Sequence, residues 1–385
     1  MRSSLYIHIP FCSGVCDYCD FYSIPVNAHD KRVEVYTEKI LKDTRYYIEK
    51  FGITHIFSVY IGGGTPSILG ADLIERLLLG LSENWKYQKE KPEEITVEVN
   101  PESLSEEFLM ACLQNGVNRI SVGIQSFHEP SRKAVNRAGS AETLTQSLFL
   151  LQNFFGTSFS VDLIAGLPFQ TERILLSDIE KVLTFKPDHI SLYALTTEEG
   201  TSLDEKVRCG KIPLPDIDEL WITGRNFLEK SGYEQYEVSN FAVNKKISIH
   251  NTGYWRMENW LGIGSSAVST IIYDETGLTG EKLNGKRFTF EPDVDAYIAG
   301  KPPAEEHLDN TALIKESFLM GFRCIEGLDG NLFRQRFDVS IEEVIPRTLA
   351  RWRGKGLLRP DKIALNKEGL LLLNPFLLDI FEEID

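Results

Sequence analysis

An α/β architecture, a partial (β/α)6 barrel of TIM type followed by a small C-terminal winged-helix-like domain, is predicted by three observations. Six short β-rich runs alternate with amphipathic helical stretches through the first half of the chain. The polar and glycine-rich motifs fall just after those runs, on the face where barrels of this kind build their sites. From Thr311 onward the alternation stops, and helical patterns lead into a short hairpin.

The predicted strands are 5–9, 56–61, 95–99, 120–124, 159–163 and 189–195. Between them, 71–85, 106–115 and 142–154 carry apolar residues at helical spacing, with Gly116 as a stop signal. Residues 216–230 read as an exposed helix and 233–241 as a further strand. A looser stretch, 269–310, with Gly277, Gly280, Gly285, Gly300 and Pro302-Pro303, reads as a connector. Helices are expected at 311–322, 329–337 and 341–355, then a hairpin of 357–359 with 363–365.

The 385 residues are 42% hydrophobic and 25% charged, ordinary for a globular chain able to bury a large core. The longest apolar run is far shorter than the roughly 20 residues of a membrane-spanning helix. A net charge of −15 disfavours binding to a phosphate backbone, so no nucleic-acid partner is expected. With no leader recognisable before Tyr6, reduced thiols and a cytoplasmic location are expected.

Three cysteines within eight residues, Cys12, Cys16 and Cys19 in the run HIPFCSGVCDYCDF (8–21), read as ligands of a [4Fe–4S] cluster. Such a cluster normally takes four thiolates, so a compact triad leaves one iron open to a small chelating molecule. Zinc, which favours four soft ligands in two separated pairs, is the poorer fit. Cys112, Cys209 and Cys324 are isolated singles and receive no role. Further strand ends carry Gly62-Gly63-Gly64-Thr65, Glu98 with Asn100, Gln125 and Asp162. Singly each is explained by a turn, a cap or an ion pair, but together they suit a pocket for a molecule bearing amine, carboxylate and ribose.

The CxxxCxxC run with Tyr18 before its last cysteine resembles the signature of radical S-adenosylmethionine (SAM) proteins. Further phrases, YIHIPFC (6–12), GGGTPS (62–67), SVGIQSF (121–127), VDLIAGLP (161–168) and GYEQYEVSNF (232–241), resemble oxygen-independent coproporphyrinogen III dehydrogenases and the related HemW haem chaperones. The resemblance implies SAM on the open iron, with Tyr6, Gly63, Glu98, Gln125, Arg137 and Asp162 around it. Gly64 and Thr65 match positions that touch a second SAM in the dehydrogenases. It further implies cleavage of SAM to a 5′-deoxyadenosyl radical by an electron from the cluster.

Two departures point to the chaperones. Phe21 stands where the dehydrogenases have a further cysteine, and only five residues precede Tyr6 where they carry a long arm. The run HNTGYW (250–255) matches the HNxxYW motif of the chaperones. Through it the resemblance implies haem contact by His250, Tyr254 and Trp255, an imidazole able to ligate iron beside flat apolar rings. Lys245 and Lys246 could meet haem propionates, although paired surface lysines are usually solvated charge.

The expected division is therefore 1–245 as the barrel with cluster and SAM sites, 246–310 as a connector holding the haem motif, and 311–385 as the C-terminal domain. The expected function is a haem chaperone that binds haem, a [4Fe–4S] cluster and SAM and delivers haem to acceptor haemoproteins. The resemblance implies respiratory acceptors and a peripheral membrane encounter. The alternative is a coproporphyrinogen dehydrogenase acting by SAM radical chemistry, so enzyme status stays open; a nucleic-acid-binding role for the C-terminal domain ranks third.

Overall fold

A computed structural model describes every residue except 28–29, 87, 89, 155–157, 274–283 and 385. The expected strands form the parallel heart of one sheet: β1 (Arg2–Ile9), β2 (His55–Gly63), β3 (Glu94–Val99), β4 (Arg119–Gln125), β5 (Ser158–Ala165) and β6 (His189–Ala194). They pair in chain order, with Tyr6 opposite Tyr60, Ile61 opposite Val97, Glu98 opposite Ser121, and Asp162 opposite both Gly123 and Ser191. Their strand ends therefore share one rim. Leu5, Ile7, Val59, Val97, Val122 and Val161 are fully or almost fully buried, as parallel strands covered on both faces require.

Helices Arg32–Phe51, Gly70–Ser82, Glu106–Gln114, Ala141–Asn153, Glu172–Leu183 and Ile217–Lys230 cover the outside. Local chemistry sets their ends. The Ser105, Ser140 and Thr171 hydroxyls accept from the backbone N–H three residues on, and Gly52 leaves the first helix at φ +61°.

The barrel is open because β1 and β6 do not meet. Beyond β6 lie two short antiparallel strands, β7 (Glu234–Gln235) and β8 (Asn240–Ala242), so the expected single strand 233–241 is a hairpin. Beyond β1, the segment expected as a connector continues the sheet. β9 (Trp260–Ile263) runs parallel to β1, with Gly262 opposite Tyr6, and β10 (Val268–Tyr273), β11 (Asn284–Thr289) and β12 (Ala304–Leu308) follow antiparallel. A side chain at Gly262 would meet the Val268 carbonyl oxygen at 2.2 Å, so only glycine allows the close packing of these two strands. Gly277 and Gly280 lie outside the described residues.

The C-terminal region packs helices Asn310–Gly321, Gly330–Phe337, Ile341–Val344, Pro346–Gly354 and Leu373–Ile384 around a second apolar core. The expected helix 341–355 is broken at Pro346, which cannot donate a backbone hydrogen bond. The hairpin is reduced to one bridge, Leu358 with Leu365. A smaller cluster of Met257, Trp260, Leu308 and Leu313, joined by Tyr254 and Phe337, welds this unit to the sheet. Among the described residues no helix is long and apolar enough to cross a membrane.

Trp352 anchors the second core. It is 2% exposed, its Nε1 donates to Asp379 Oδ2 at 2.7 Å, and its ring meets Phe376 edge-on at 4.8 Å. Replacing Trp352 by alanine should cost about 3–5 kcal/mol. Hydrogen exchange should show the loss concentrated at 311–384, with the strand amides of β1 to β6 still protected. Uniform loss of protection through both regions would contradict the two-core description.

Candidate functional site

At the strand-end rim lies a cavity of about 450 Å³. Cys12, Cys16 and Cys19 line it together with Gly63, Gly64, Thr65, Glu98, Gln125, Arg137 and Asp162. Every residue suggested for the cluster or for SAM is there except Tyr6. Its hydroxyl turns instead to His8 Nδ1 at 2.9 Å, and His8 Nε2 reaches the Tyr22 carbonyl at 2.9 Å.

The loop carrying the cysteines is held on several sides. Asp17 N–H donates to the Val135 carbonyl at 3.0 Å, Asn136 Nδ2 to the Val15 carbonyl at 2.9 Å, and Leu203 N–H to the Asp17 carbonyl at 2.8 Å. Lys206 pairs with the Asp17 carboxylate. Thr65 Oγ1 stands 3.4 Å from Cys12 Sγ, and Arg137 Nη1 lies 3.6 Å from Cys16 Sγ while its Nη2 donates to the Gly123 carbonyl at 2.8 Å. Arg137 thus ties the cysteine loop to β4 as well as facing the cavity.

Burial pushes the Cys12 thiol above its ordinary range and the Cys19 thiol up to about 11. Thiolates are favoured there only beside compensating positive charge, which iron supplies. Among the described residues no three His, Cys, Asp or Glu side chains converge as a single ion would require. Thiolates bound to separate irons of one cluster need no such convergence.

The glycine loop was expected to offer its backbone to a ligand, and the structure assigns much of it elsewhere. Gly64 N–H donates to the Ile9 carbonyl at 2.8 Å and Thr65 N–H to the Phe11 carbonyl at 2.8 Å. A side chain at Gly64 would meet the Phe11 carbonyl at 2.8 Å, and one at Gly63, where φ is +108°, would meet the His8 ring at 2.6 Å. The loop is glycine-rich so that it can lie against the cysteine loop.

Glu98 and Asp162 form the polar floor. Glu98 accepts from Tyr60 Oη at 2.6 Å and from Gly63 N–H at 3.2 Å, and Asp162 accepts from the Ser121 hydroxyl at 3.2 Å. Burial dominates both: it raises Glu98 to about 7, against the pull of the Tyr60 hydrogen bond, and moves Asp162 upward as well. Two buried carboxylates with raised proton affinity invite a cation. Gln125, held at φ +67°, has a buried Oε1 with no partner, an acceptor suited to a ligand's N–H or O–H. The sulfonium charge and the amine N–H and hydroxyl groups of SAM fit this set of acceptors. Tyr60, Ser121 and Tyr193 were missed from sequence; Tyr60 stands opposite Tyr6 in the sheet and holds Glu98, while Ser121 and Tyr193 line the cavity.

The haem candidates lie elsewhere. His250 is 1% exposed, and both its ring nitrogens are engaged, Nδ1 with Ser58 Oγ at 3.0 Å and Nε2 with Tyr254 Oη at 3.1 Å. Its backbone N–H donates to Glu94 Oε1 at 3.1 Å, and burial lowers the imidazole to about 3. The structure therefore presents His250 as a neutral, closed packing residue, and ligating iron would require breaking one of these bonds. Tyr254 is consumed by the same network. Trp255 lines a cavity beside the C-terminal helices. Lys245 borders a shallow groove on the opposite end of the sheet from the cysteines.

Comparison with known proteins agrees with this geometry. The Radical SAM superfamily profile matches residues 6–182, and the HemN C-terminal domain profile matches 308–372. The chain is 33% identical to the protein named heme chaperone HemW of Lactococcus lactis over 98% of both chains. It is 32% identical to mouse mitochondrial radical S-adenosyl methionine domain-containing protein 1, over all of this chain and 88% of the relative. The solved structure of Escherichia coli coproporphyrinogen III oxidase (HemN) shares the fold, with a TM-score of 0.78 over 98% of this chain and 90% of that one, at 23% identity. Matched along its whole length and carrying the cysteine triad at the rim of a six-stranded partial barrel, the chain belongs to the HemW family of the radical SAM superfamily.

Proposed function

We propose that this protein is a haem chaperone that holds a [4Fe–4S] cluster through Cys12, Cys16 and Cys19 and SAM beside it. The observation that carries the reading is the single cavity in which the three cysteines meet two buried carboxylates and the unpartnered Gln125 acceptor. The cluster, when bound, supplies an open iron for chelation and an electron. Glu98 and Asp162 would neutralise the positive groups of SAM, Gln125 would accept from it, and Arg137 would steady the Cys16 thiolate while offering its guanidinium to a carboxylate. Thr65 backs Cys12. Haem as cargo is supported by full-length likeness to proteins named heme chaperones. Phe21, 69% exposed beside the cysteines where the dehydrogenases carry a further cysteine, supports the chaperone over the enzyme. Haemoproteins of the respiratory chain as acceptors, met at a membrane surface from the cytoplasm, belong to the same proposal.

Replacing Cys12, Cys16 or Cys19 by serine should abolish the iron–sulfur absorbance after anaerobic reconstitution, since a hydroxyl is a poor substitute for thiolate. Cys112→Ser and Cys209→Ser should preserve it. Retention of the cluster after loss of any triad member would count against the assignment.

Asp162→Asn should weaken SAM binding about ten- to a hundred-fold, the worth of a charged hydrogen bond, with the cluster spectrum unchanged. Because Glu98 titrates near 7 when the pocket is empty and a cation favours its ionised form, SAM affinity should be flat above pH 7. Below pH 7 it should fall by up to about ten-fold per unit. An affinity independent of pH between 5.5 and 8, measured by equilibrium dialysis, would show that Glu98 does not meet the cation.

The reconstituted protein should bind haem stably and leave coproporphyrinogen III unconverted under reducing conditions with SAM. Formation of the divinyl product would establish the dehydrogenase reading instead.

A further inference from the structure

We propose that His250 is a positioning residue of the SAM site: its imidazole backs the ring of Tyr60, and Tyr60 in turn holds Glu98 in the cavity floor. This deepens the SAM reading of the cavity and rests on it. Ser58 and Tyr60 lie two residues apart on β2, so their side chains share one face of the strand, with Ser58 deeper from the rim. His250 packs against that face. Its Nδ1 meets Ser58 Oγ at 3.0 Å, and its ring centroid stands 5.1 Å from that of Tyr60 at a tilt of 31°. The Tyr60 hydroxyl donates to Glu98 Oε1 at 2.6 Å.

Three anchors keep the imidazole there. Glu94 on β3, opposite Ser58 in the sheet, accepts from Ser248 Oγ at 3.2 Å, Ile249 N–H at 2.8 Å and His250 N–H at 3.1 Å, which clamps the start of the helix Ile249–Trp255 to the strand. Gly253 lets the same helix lie close to β2, since a side chain there would meet the Phe57 ring at 3.0 Å. Tyr254 Oη bonds the imidazole Nε2 at 3.1 Å, and its own ring is braced edge-on by Trp260 at 5.2 Å. With both nitrogens bonded in a buried place, the imidazole cannot shift without leaving a polar group unpaired. The HNxxYW run thus supplies a plug beneath the SAM floor, through its first, fourth and fifth residues.

The effect on the site is electrostatic. A hydroxyl donating to Glu98 favours the ionised carboxylate, the form that meets a cation. Without a ring behind it, the Tyr60 side chain gains space to turn into, the bond to Glu98 lengthens, and burial holds Glu98 neutral to higher pH. Besides Tyr60 and the Gly63 amide, the groups facing Glu98 are Tyr6 of β1, Ser121 of β4, Asp162 of β5 and Tyr193 of β6. Burial keeps the three tyrosines and His250 neutral at ordinary pH. Asp162 keeps its own hydroxyl partners, Ser121 and Ser191, whatever stands at position 250.

Equilibrium dialysis of SAM against the cluster-loaded protein, from about pH 5.5 to about pH 9, tests this. The amides of His250→Asn and His250→Gln can still bond Ser58 but leave no ring behind Tyr60. Each variant should move the fall in SAM affinity upward by about one pH unit, so that binding is about five-fold weaker at pH 7 and equal to the parent's at about pH 9. Tyr60→Phe should do the same, and the double variant with His250→Asn should go no further than Tyr60→Phe, because both act through one hydrogen bond. Iron–sulfur absorbance and far-UV circular dichroism, unchanged in each variant, show that the fold persists. The inference is overturned if the folded His250 variants or Tyr60→Phe keep the parent's profile, if affinity drops equally at every pH, or if the shift in the double variant is the sum of the single ones. If the parent binds no SAM, or binds it without pH dependence, the SAM reading of the cavity fails and this inference falls with it.

Discussion

Two backbone hydrogen bonds, Gly64 N–H to the Ile9 carbonyl and Thr65 N–H to the Phe11 carbonyl, fasten the end of β2 to the chain leaving β1. They fix where Cys12 stands, because Thr65 then rests against its sulfur. No residue but glycine fits at position 64, where a side chain would strike the Phe11 carbonyl. The same contact leaves Gly63 N–H free to hold Glu98, so the sulfur side and the carboxylate side of the cavity are set by one loop. A site assembled this way is positioned by rigid strand ends, which chemistry at a bound cofactor requires.

Electrostatics explains why the cavity is unfavourable when empty. Burial holds the Cys12 and Cys19 thiols and the Glu98 and Asp162 carboxyls toward their neutral forms. Iron on one side and a cationic ligand on the other would release that penalty together, so occupancy of the two halves is expected to be mutually supportive.

Much of this was legible in the sequence. The six barrel strands are short β-rich runs followed closely by the polar and glycine-rich motifs, and that pattern pointed to parallel strands with a shared rim. The cysteine spacing singled out, without any tertiary information, a loop whose three cysteines line one cavity in the fold. What escaped depended on partners distant in sequence. Gly285 reads as part of a loose connector until Ile272 and Leu308 are seen opposite it in the sheet, and the amides of Gly64 and Thr65 read as open to a ligand until the Ile9 and Phe11 carbonyls are seen to take them. His250 offers a free imidazole on paper, whereas Ser58 and Tyr254 close both nitrogens in the fold.

The central claim is that the cysteine triad and the carboxylate floor serve one joined site. Pulsed ENDOR on the reduced cluster, with SAM labelled by ¹⁵N at its amino group, tests it most directly. The account predicts a resolved nitrogen coupling, accompanied by a change in the cluster's EPR spectrum on adding SAM. A cluster spectrum indifferent to saturating SAM, with no nitrogen coupling, would contradict it.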